Sequence, residues 1–132
     1  MSLTSKHLPV AAAAVAACIV LGTLMPVMSR AEVREIHLVA RGMAFYLQDD
    51  PRTPNPTIEA RAGETIRVIL HNDERGVTHD FASPALSAST ERLAWNERAH
   101  VTFTVPREAG TFEYICNPHR LMMRGVIRVT RN

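Results

Sequence analysis

The sequence lacks repeats and long helical patterns. Beyond residue 31 it has no internal repeat, no low-complexity tract and no apolar stripe of 3.6-residue period sustained over a dozen positions. With 46% hydrophobic and 21% charged residues, the 132-residue chain is also not a disordered or collagen-like polymer. These absences leave one ordinary domain in which helices do not dominate.

The sequence also lacks a block of basic residues. Lys6 and Arg30 lie in the first 31 residues, which contain no acid, and residues 32–132 carry thirteen arginines against thirteen acids. The formal net charge of +2 therefore belongs to the N-terminal segment. Because binding to nucleic acid requires clustered Lys or Arg to neutralise phosphates, the balanced charge of the rest argues against a nucleic-acid partner.

Residues 1–31 have the pattern of an export segment, with a basic start and an uncharged run over residues 8–29. Small residues before Glu32 favour a signal peptide cleaved at that point. The length of the run also suits an uncleaved membrane anchor, since about 20 residues span a bilayer as a helix. A lipoprotein signal ending at Cys18 is the third alternative, although the apolar stretch after it is unlike a lipoprotein linker. All three place the domain of residues 32–132 outside the cytoplasm, in a periplasmic or other extracytoplasmic compartment.

From residue 32 onward, apolar residues recur with a period of two. Three segments show the pattern, and the apolar positions in them are Ile36, Leu38, Ala40, Ile66, Val68, Leu70, Val101, Phe103 and Val105. Turn-forming residues such as those at 62–64 separate the segments. About six or seven short strands in a domain of this size predict an all-β fold, an antiparallel β-sandwich whose two sheets enclose one core.

One thiol in this domain has no partner for a disulfide within it. An unpaired cysteine in an exported domain is bound to another molecule, buried and inert, or used in chemistry, because an exposed thiol would be oxidised. Cys116 is followed closely by an imidazole at His119 and thioethers at Met122 and Met123. Pro118 stiffens this short loop, and the loop forces the side chains to converge. The combination favours a metal site over an inert core thiol.

A second imidazole must come from elsewhere in the chain, and His79 is the candidate. It follows the predicted turn at 73–76, whereas His37, His71 and His100 lie on the polar phase of their strands and are interpreted as surface residues. Two imidazoles, one thiolate and a weak thioether form a trigonal site that suits Cu(I) and Cu(II) about equally. Because the ligands of such a site move little when the copper gains an electron, the pattern predicts an electron carrier with one copper ion rather than an enzyme.

At these residues the chain resembles the cupredoxins, the small blue copper proteins that include plastocyanin, amicyanin and azurin. The resemblance covers residues 56–130 and is most specific at residues 109–119, A-G-T-F-E-Y-I-C-N-P-H, whose C-x2-H spacing is similar to the family's ligand loop. Residues 78–81 match the family's upstream ligand. The resemblance implies a Greek-key β-sandwich that shuttles one electron between redox partners. It also implies that copper is bound by His79, Cys116 and His119.

The axial ligand has two candidates. Amicyanin-like spacing, H-x2-M, selects Met122, whereas azurin-like spacing, H-x3-M followed by M-x-G, selects Met123. Because Gly125 is predicted to start the last strand, a ligand two residues earlier should point back toward the copper, as it does in the family. We therefore expect Met123 as the axial ligand, with Met122 on the rim or in the core.

Two positions depart from the family's pattern. Asp80 stands where the family commonly has Asn beside its first His ligand, and Asn117 stands where Ser or Thr often follows the Cys. We interpret the two as exchanged partners, in which the Asp80 carboxylate accepts from the Asn117 amide while the Asp80 N–H approaches the Cys116 sulfur. An ionised Asp80 would then lower the reduction potential.

Other functions are less consistent with these residues. A thiol hydrolase with a Cys116–His119 nucleophile pair would not need a thioether, and structural zinc sites prefer several cysteines. A copper chaperone or storage protein is the nearest alternative, since it would use a similar site. Fast, reversible voltammetry would distinguish a carrier from it.

The resemblance also implies how partners bind. Transient redox partners are expected to dock over the edge of His119, through an apolar patch supplied by Pro118, Leu121 and Met122. The near-zero charge of the domain predicts weak long-range steering and only a modest effect of salt. We expect a monomer that contacts a membrane only through the N-terminal segment, if that segment is uncleaved.

Overall fold

The computed structural model describes residues 32–131. They form nine strands: β1 (Val33–Arg41), β2 (Ala44–Leu47), β3 (Ile58–Arg61), β4 (Thr65–Asn72), β5 (Ala82–Ser83), β6 (Ala88–Ser89), β7 (Arg98–Thr104), β8 (Gly110–Ile115) and β9 (Arg124–Thr130). Two single turns of 3-10 helix, at Pro84–Leu86 and Asn117–His119, are the helical elements of this range. The predicted all-β fold is confirmed, and the predicted export segment, residues 1–31, lies outside the described residues.

The strands form two sheets. One has the order β2-β1-β4-β7 and the other the order β3-β9-β8-β5-β6. Five of the strand pairs are antiparallel, but β1 pairs with β4 and β3 pairs with β9 in parallel. The sheets are therefore mixed, whereas the sequence predicted antiparallel sheets. Between β1 and β4 the chain crosses to the second sheet to form β3, so it returns to the first sheet in its original direction.

Alternation along the strands creates the core between the sheets. In β4, Ile66, Val68 and Leu70 are fully buried, while the residues between them are half-buried. Removing one such aliphatic side chain from water stabilises the fold by about 1.5–3 kcal/mol. Cys116 and Met123 belong to the same buried cluster, so the core extends to the ligand loop predicted from the sequence.

An aromatic group at the centre of the core supports the end of β8. The Tyr114 ring lies 5.5 Å from the Phe45 ring and 5.4 Å from the Phe81 ring, between centroids. Its hydroxyl donates to the Pro56 carbonyl at 2.5 Å. A Cβ atom at position 125 would overlap this phenol ring, which explains why Gly125 stands opposite Tyr114 on β9.

Within residues 32–131, no helix has the length and apolar character needed to cross a membrane.

We expect Tyr114→Phe to lower the free energy of unfolding by about 1–3 kcal/mol, because the buried Pro56 carbonyl loses its donor. Denaturant titration would measure the change. Tyr46→Phe is the matched control, since the half-buried Tyr46 ring packs under Arg41 and its hydroxyl has no hydrogen-bond partner among the described residues. Equal losses in the two variants would contradict the assignment.

Candidate metal centre

Three predicted ligand residues converge at one end of the sandwich. The Cys116 Sγ lies 3.6 Å from the His79 Nδ1 and 3.6 Å from the His119 Nδ1. The three ligand atoms lie within 4.8 Å of one another, and His79 and Cys116 are fully buried. The tertiary structure thus brings together an imidazole and a thiol that are 37 residues apart in sequence.

The other histidines of residues 32–131 lie away from this cluster. His37 and His100 are exposed on the outer face of the β2-β1-β4-β7 sheet, and His71 is half-buried there, beside Asn96. This is the surface position predicted from their polar phase.

The loop between β8 and β9 is closed by backbone hydrogen bonds. The Cys116 N–H donates to the Met123 carbonyl at 3.0 Å, and the His119 N–H donates to the Cys116 carbonyl at 3.1 Å. The Met122 and Met123 N–H groups both donate to the His119 carbonyl, each at 2.9 Å. Pro118 lies in the first turn of the 3-10 helix, where a missing N–H costs nothing. These bonds hold the thiol and the imidazole in one arrangement.

The two candidate axial thioethers have different environments. Met123 is fully buried in the core cluster that contains Cys116, whereas the side chain of Met122 is 55% exposed. Met122 therefore lies on the rim, one of the two positions expected for it.

Asn55 anchors the ligand loop from another segment, and it was missed in the sequence. It has a left-handed backbone conformation, with φ of 48°, which Asn tolerates better than most residues. Its side chain accepts from the Phe45 N–H at 3.1 Å and donates to the Met122 carbonyl at 3.0 Å. The Asn-Pro pair at 55–56 is a turn signal, but its partner 67 residues away is not readable from the sequence.

The buried His79 is held by its backbone. It forms an isolated antiparallel bridge with Leu93. The His79 N–H donates to the Leu93 carbonyl at 3.1 Å, and the Leu93 N–H donates to the His79 carbonyl at 2.7 Å. The buried Asn72 closes the preceding turn by donating to the Val77 and Leu93 carbonyls, at 2.7 and 3.0 Å. The ring therefore enters the site from a rigid backbone.

A carboxylate contacts the other nitrogen of this ring. The Glu74 Oε2 lies 2.9 Å from the His79 Nε2. Sequence reasoning missed Glu74, and the one available signal was an acid in the turn that precedes the histidine. The carboxylate leaves the Nδ1 of His79 facing Cys116.

The proposed partnership of Asp80 and Asn117 is confirmed by the contacts. The Asn117 N–H donates to Asp80 Oδ1 at 2.6 Å, and the Asn117 side-chain amide donates to Oδ2 at 3.2 Å. The Asp80 N–H lies 3.5 Å from the Cys116 sulfur. One residue therefore joins the two ligand loops and contacts the thiol.

Burial favours the neutral forms of Cys116 and His79. Desolvation raises the pKa of the Cys116 thiol, although the Asp80 N–H opposes the shift. Desolvation also lowers the pKa of His79, although its contact with Glu74 opposes that shift. A neutral imidazole presents a lone pair, and a buried sulfur that loses its proton requires a cation beside it. One soft sulfur and two imidazoles fit copper by their chemistry.

A β-sandwich with a buried cluster of one thiol and two imidazoles defines a class, the copper proteins with a trigonal Cys-His-His centre. Residues 55–130 match the sequence profile of a protein family, the copper binding proteins of the plastocyanin/azurin family. This chain belongs to that family, and copper is its cofactor. A sequence comparison with curated proteins finds no match.

Solved structures share the fold. Auracyanin A, a "blue" copper protein from the green thermophilic photosynthetic bacterium Chloroflexus aurantiacus, is 22% identical with a TM-score of 0.56, over 75% of this chain and 100% of that one. Reduced auracyanin from Roseiflexus castenholzii is 18% identical with a TM-score of 0.54, over 73% of this chain and 96% of that one. Rusticyanin from Thiobacillus ferrooxidans is 22% identical with a TM-score of 0.55, over 74% of this chain and 77% of that one.

The same fold also occurs as part of larger enzymes. A Cu-containing nitrite reductase from Thermus scotoductus matches 76% of this chain but only 28% of its own length. Single-domain blue copper proteins of the family are electron carriers rather than enzymes, and residues 55–130 match the family as one such domain.

We expect Asp80→Asn to raise the reduction potential of the copper-loaded protein. The amide keeps an acceptor for the Asn117 N–H but removes a negative charge beside the thiolate, so the oxidised state loses stabilisation. The shift should be on the order of tens of millivolts, since about 59 mV is a tenfold change for one electron. Voltammetry measures it, with Asp49→Asn as an exposed control. An unchanged potential in Asp80→Asn would exclude the electrostatic role.

Proposed function

We propose that this protein carries single electrons between redox proteins outside the cytoplasm. The proposed ligands of its one copper ion are His79, Cys116 and His119, with Met123 as a weak axial ligand. The observation that carries the proposal is the convergence of two Nδ1 atoms on one buried sulfur, each at 3.6 Å. The burial of Met123 beside Cys116 supports its axial role over that of the exposed Met122.

The rigidity of the site suits electron transfer. Bound copper supplies the one-electron chemistry, by alternating between Cu(I) and Cu(II). The loop's backbone bonds and the His79–Leu93 bridge restrain the ligand residues, so these residues would move little between the two oxidation states. The apolar core around Cys116 excludes water that would otherwise reorient with each electron. A small rearrangement favours a carrier over a copper chaperone, which must release its ion.

One edge of the site reaches the surface. His119 is half-buried, and three exposed residues near it in sequence are apolar: Pro118, Leu121, which is 87% exposed, and Met122, which is 55% exposed. The polar Asn117 and Arg120 are exposed beside them. Such a patch suits weak, transient complexes with redox partners, because a carrier must leave quickly. We propose that electrons enter and leave through this edge, with the protein acting as a monomer.

The proposed location is based on the N-terminal sequence. We propose that residues 1–31 act as a signal peptide or anchor and that residues 32–132 work in the periplasm or a similar compartment. The export pattern supports this proposal, and so does a lone thiol that bound copper would protect from oxidation.

The absorption spectrum tests the proposed ligands. The Cu(II)-loaded protein is expected to show an intense visible band from charge transfer between thiolate and copper, and Cys116→Ser is expected to abolish it. A thiol hydrolase or a zinc site would be colourless. A band that survives Cys116→Ser would overturn the proposal.

Two methionine variants complete this test. Met123→Leu is expected to keep the band but raise the reduction potential, because Cu(II) loses a weak donor. Met122→Leu is the matched control and should leave the potential unchanged. The reverse result would assign the axial role to Met122.

The electron self-exchange rate tests the docking edge without a known partner. In self-exchange, two copies of the protein dock through the edge that transfers electrons fastest. Leu121→Asp should therefore slow the reaction by about tenfold, which corresponds to about 1.4 kcal/mol of docking free energy. NMR line broadening of mixed Cu(I) and Cu(II) protein measures the rate. Val33→Asp is the control, because Val33 is 44% exposed at the start of β1. Equal slowing in both variants would place the docking edge elsewhere.

A further inference from the structure

The two imidazoles of the cluster have different outer contacts. The Nε2 of His79 lies 2.9 Å from the Glu74 carboxylate, whereas the ring of His119 makes no hydrogen bond to another group of the described residues except at Nδ1. An imidazole has one donor and one acceptor nitrogen when it is neutral. The carboxylate can only accept, so it requires the proton on the Nε2 of His79 and leaves the Nδ1 lone pair facing Cys116.

Glu74 is itself held by three hydrogen bonds, two at its carboxylate and one at its backbone N–H. The Glu74 Oε2 that accepts from His79 also accepts from the Met43 N–H at 3.1 Å. Met43 lies in the tight turn between β1 and β2, with φ of 59°. The Glu74 N–H donates to the Asn72 side chain at 2.9 Å. The Glu74 side chain is only 21% exposed, so it is held against the ring rather than free in solvent.

The charge of Glu74 bears on the redox equilibrium. A copper ion loses one positive charge when it is reduced, so a fixed negative charge nearby interacts more favourably with the oxidised state. Water screens this interaction little, because the imidazole between the carboxylate and the cluster is fully buried. The Glu74 carboxylate faces two donors, the Met43 N–H and the His79 ring, and hydrogen bonds of this kind favour its charged form.

We infer that Glu74 is a positioning residue that fixes the ring and tautomer of His79 for copper and biases the centre toward its oxidised state. The inference rests on the proposed function, in which His79 is a ligand. One electron is gained or lost at the copper, and no bond to Glu74 forms or breaks.

Two substitutions separate the two parts of this role. Glu74→Gln removes the charge but keeps a carbonyl oxygen that can accept from both His79 and Met43. Glu74→Ala removes the charge and both contacts. Asp73→Asn is the matched control, since it removes an equal charge from the adjacent, exposed residue, whose side chain makes no hydrogen bond in the described part of the chain.

The reduction potential and the copper dissociation constant are measured on the full-length protein. We expect Glu74→Gln to raise the potential with the visible band retained, and Asp73→Asn to leave the potential unchanged. Glu74→Ala should raise the potential as well and weaken copper binding by about 10–100-fold, the usual cost of losing an outer hydrogen bond to a metal-bound histidine. In the reduced protein, NMR of the His79 ring nitrogens should show the proton at Nε2 in wild type and Glu74→Gln.

The outcomes are distinguishable. Suppose that the wild-type protein shows the visible band and a reversible potential, but that Glu74→Gln leaves the potential unchanged. This result would overturn the role of the charge and leave the proposed function standing. If Glu74→Gln and Asp73→Asn raise the potential equally, a general surface-charge effect replaces the specific contact. Wild-type protein without the band would instead refute the proposed function. Should Glu74→Ala fail to fold, the Glu74→Gln and Asp73→Asn pair still decides the inference.

Discussion

The hydrogen bond from the Cys116 N–H to the Met123 carbonyl closes the loop on which the site depends. β8 and β9 pair up to Ile115 and Arg124, so this bond continues the ladder by one step before the chain turns outward. The residues between Cys116 and Met123 must then lie close to the Cys116 sulfur. The constraint comes from the backbone and does not depend on any side chain. It ties a loop at the edge of the sandwich directly to the β8–β9 ladder.

Apolar side chains surround the cluster of His79, Cys116 and His119, and two carboxylates lie just beyond it. The Asp80 carboxylate is bound to the backbone next to Cys116, and the Glu74 carboxylate is bound to the far nitrogen of His79. Both acids come from the segment between β4 and β5, which also carries His79. The β8–β9 loop, in contrast, supplies a sulfur, a half-buried imidazole and an apolar rim. One segment therefore sets the charge of the centre, and the other supplies the edge that faces solvent.

Much of the fold was readable from local patterns. Alternation in β1 and β4 predicted which residues are buried, because a strand with one face on the core must repeat every two residues. The same alternation says nothing about which strand lies next to which. The parallel pairs β1–β4 and β3–β9 were therefore not predicted, since their direction depends on how the chain crosses between sheets. The two-residue strands β5 and β6 are too short to carry any period.

The sequence by itself determined that a thiol, an imidazole and a thioether share one short loop, because a spacing of a few residues limits how far apart side chains can lie. It also marked His79, since that histidine breaks the polar phase of the others. Only the tertiary structure decided that Glu74 contacts His79 and that Asn55 contacts the Met122 carbonyl. Those contacts depend on the packing of loops from distant parts of the chain, and no local periodicity encodes them.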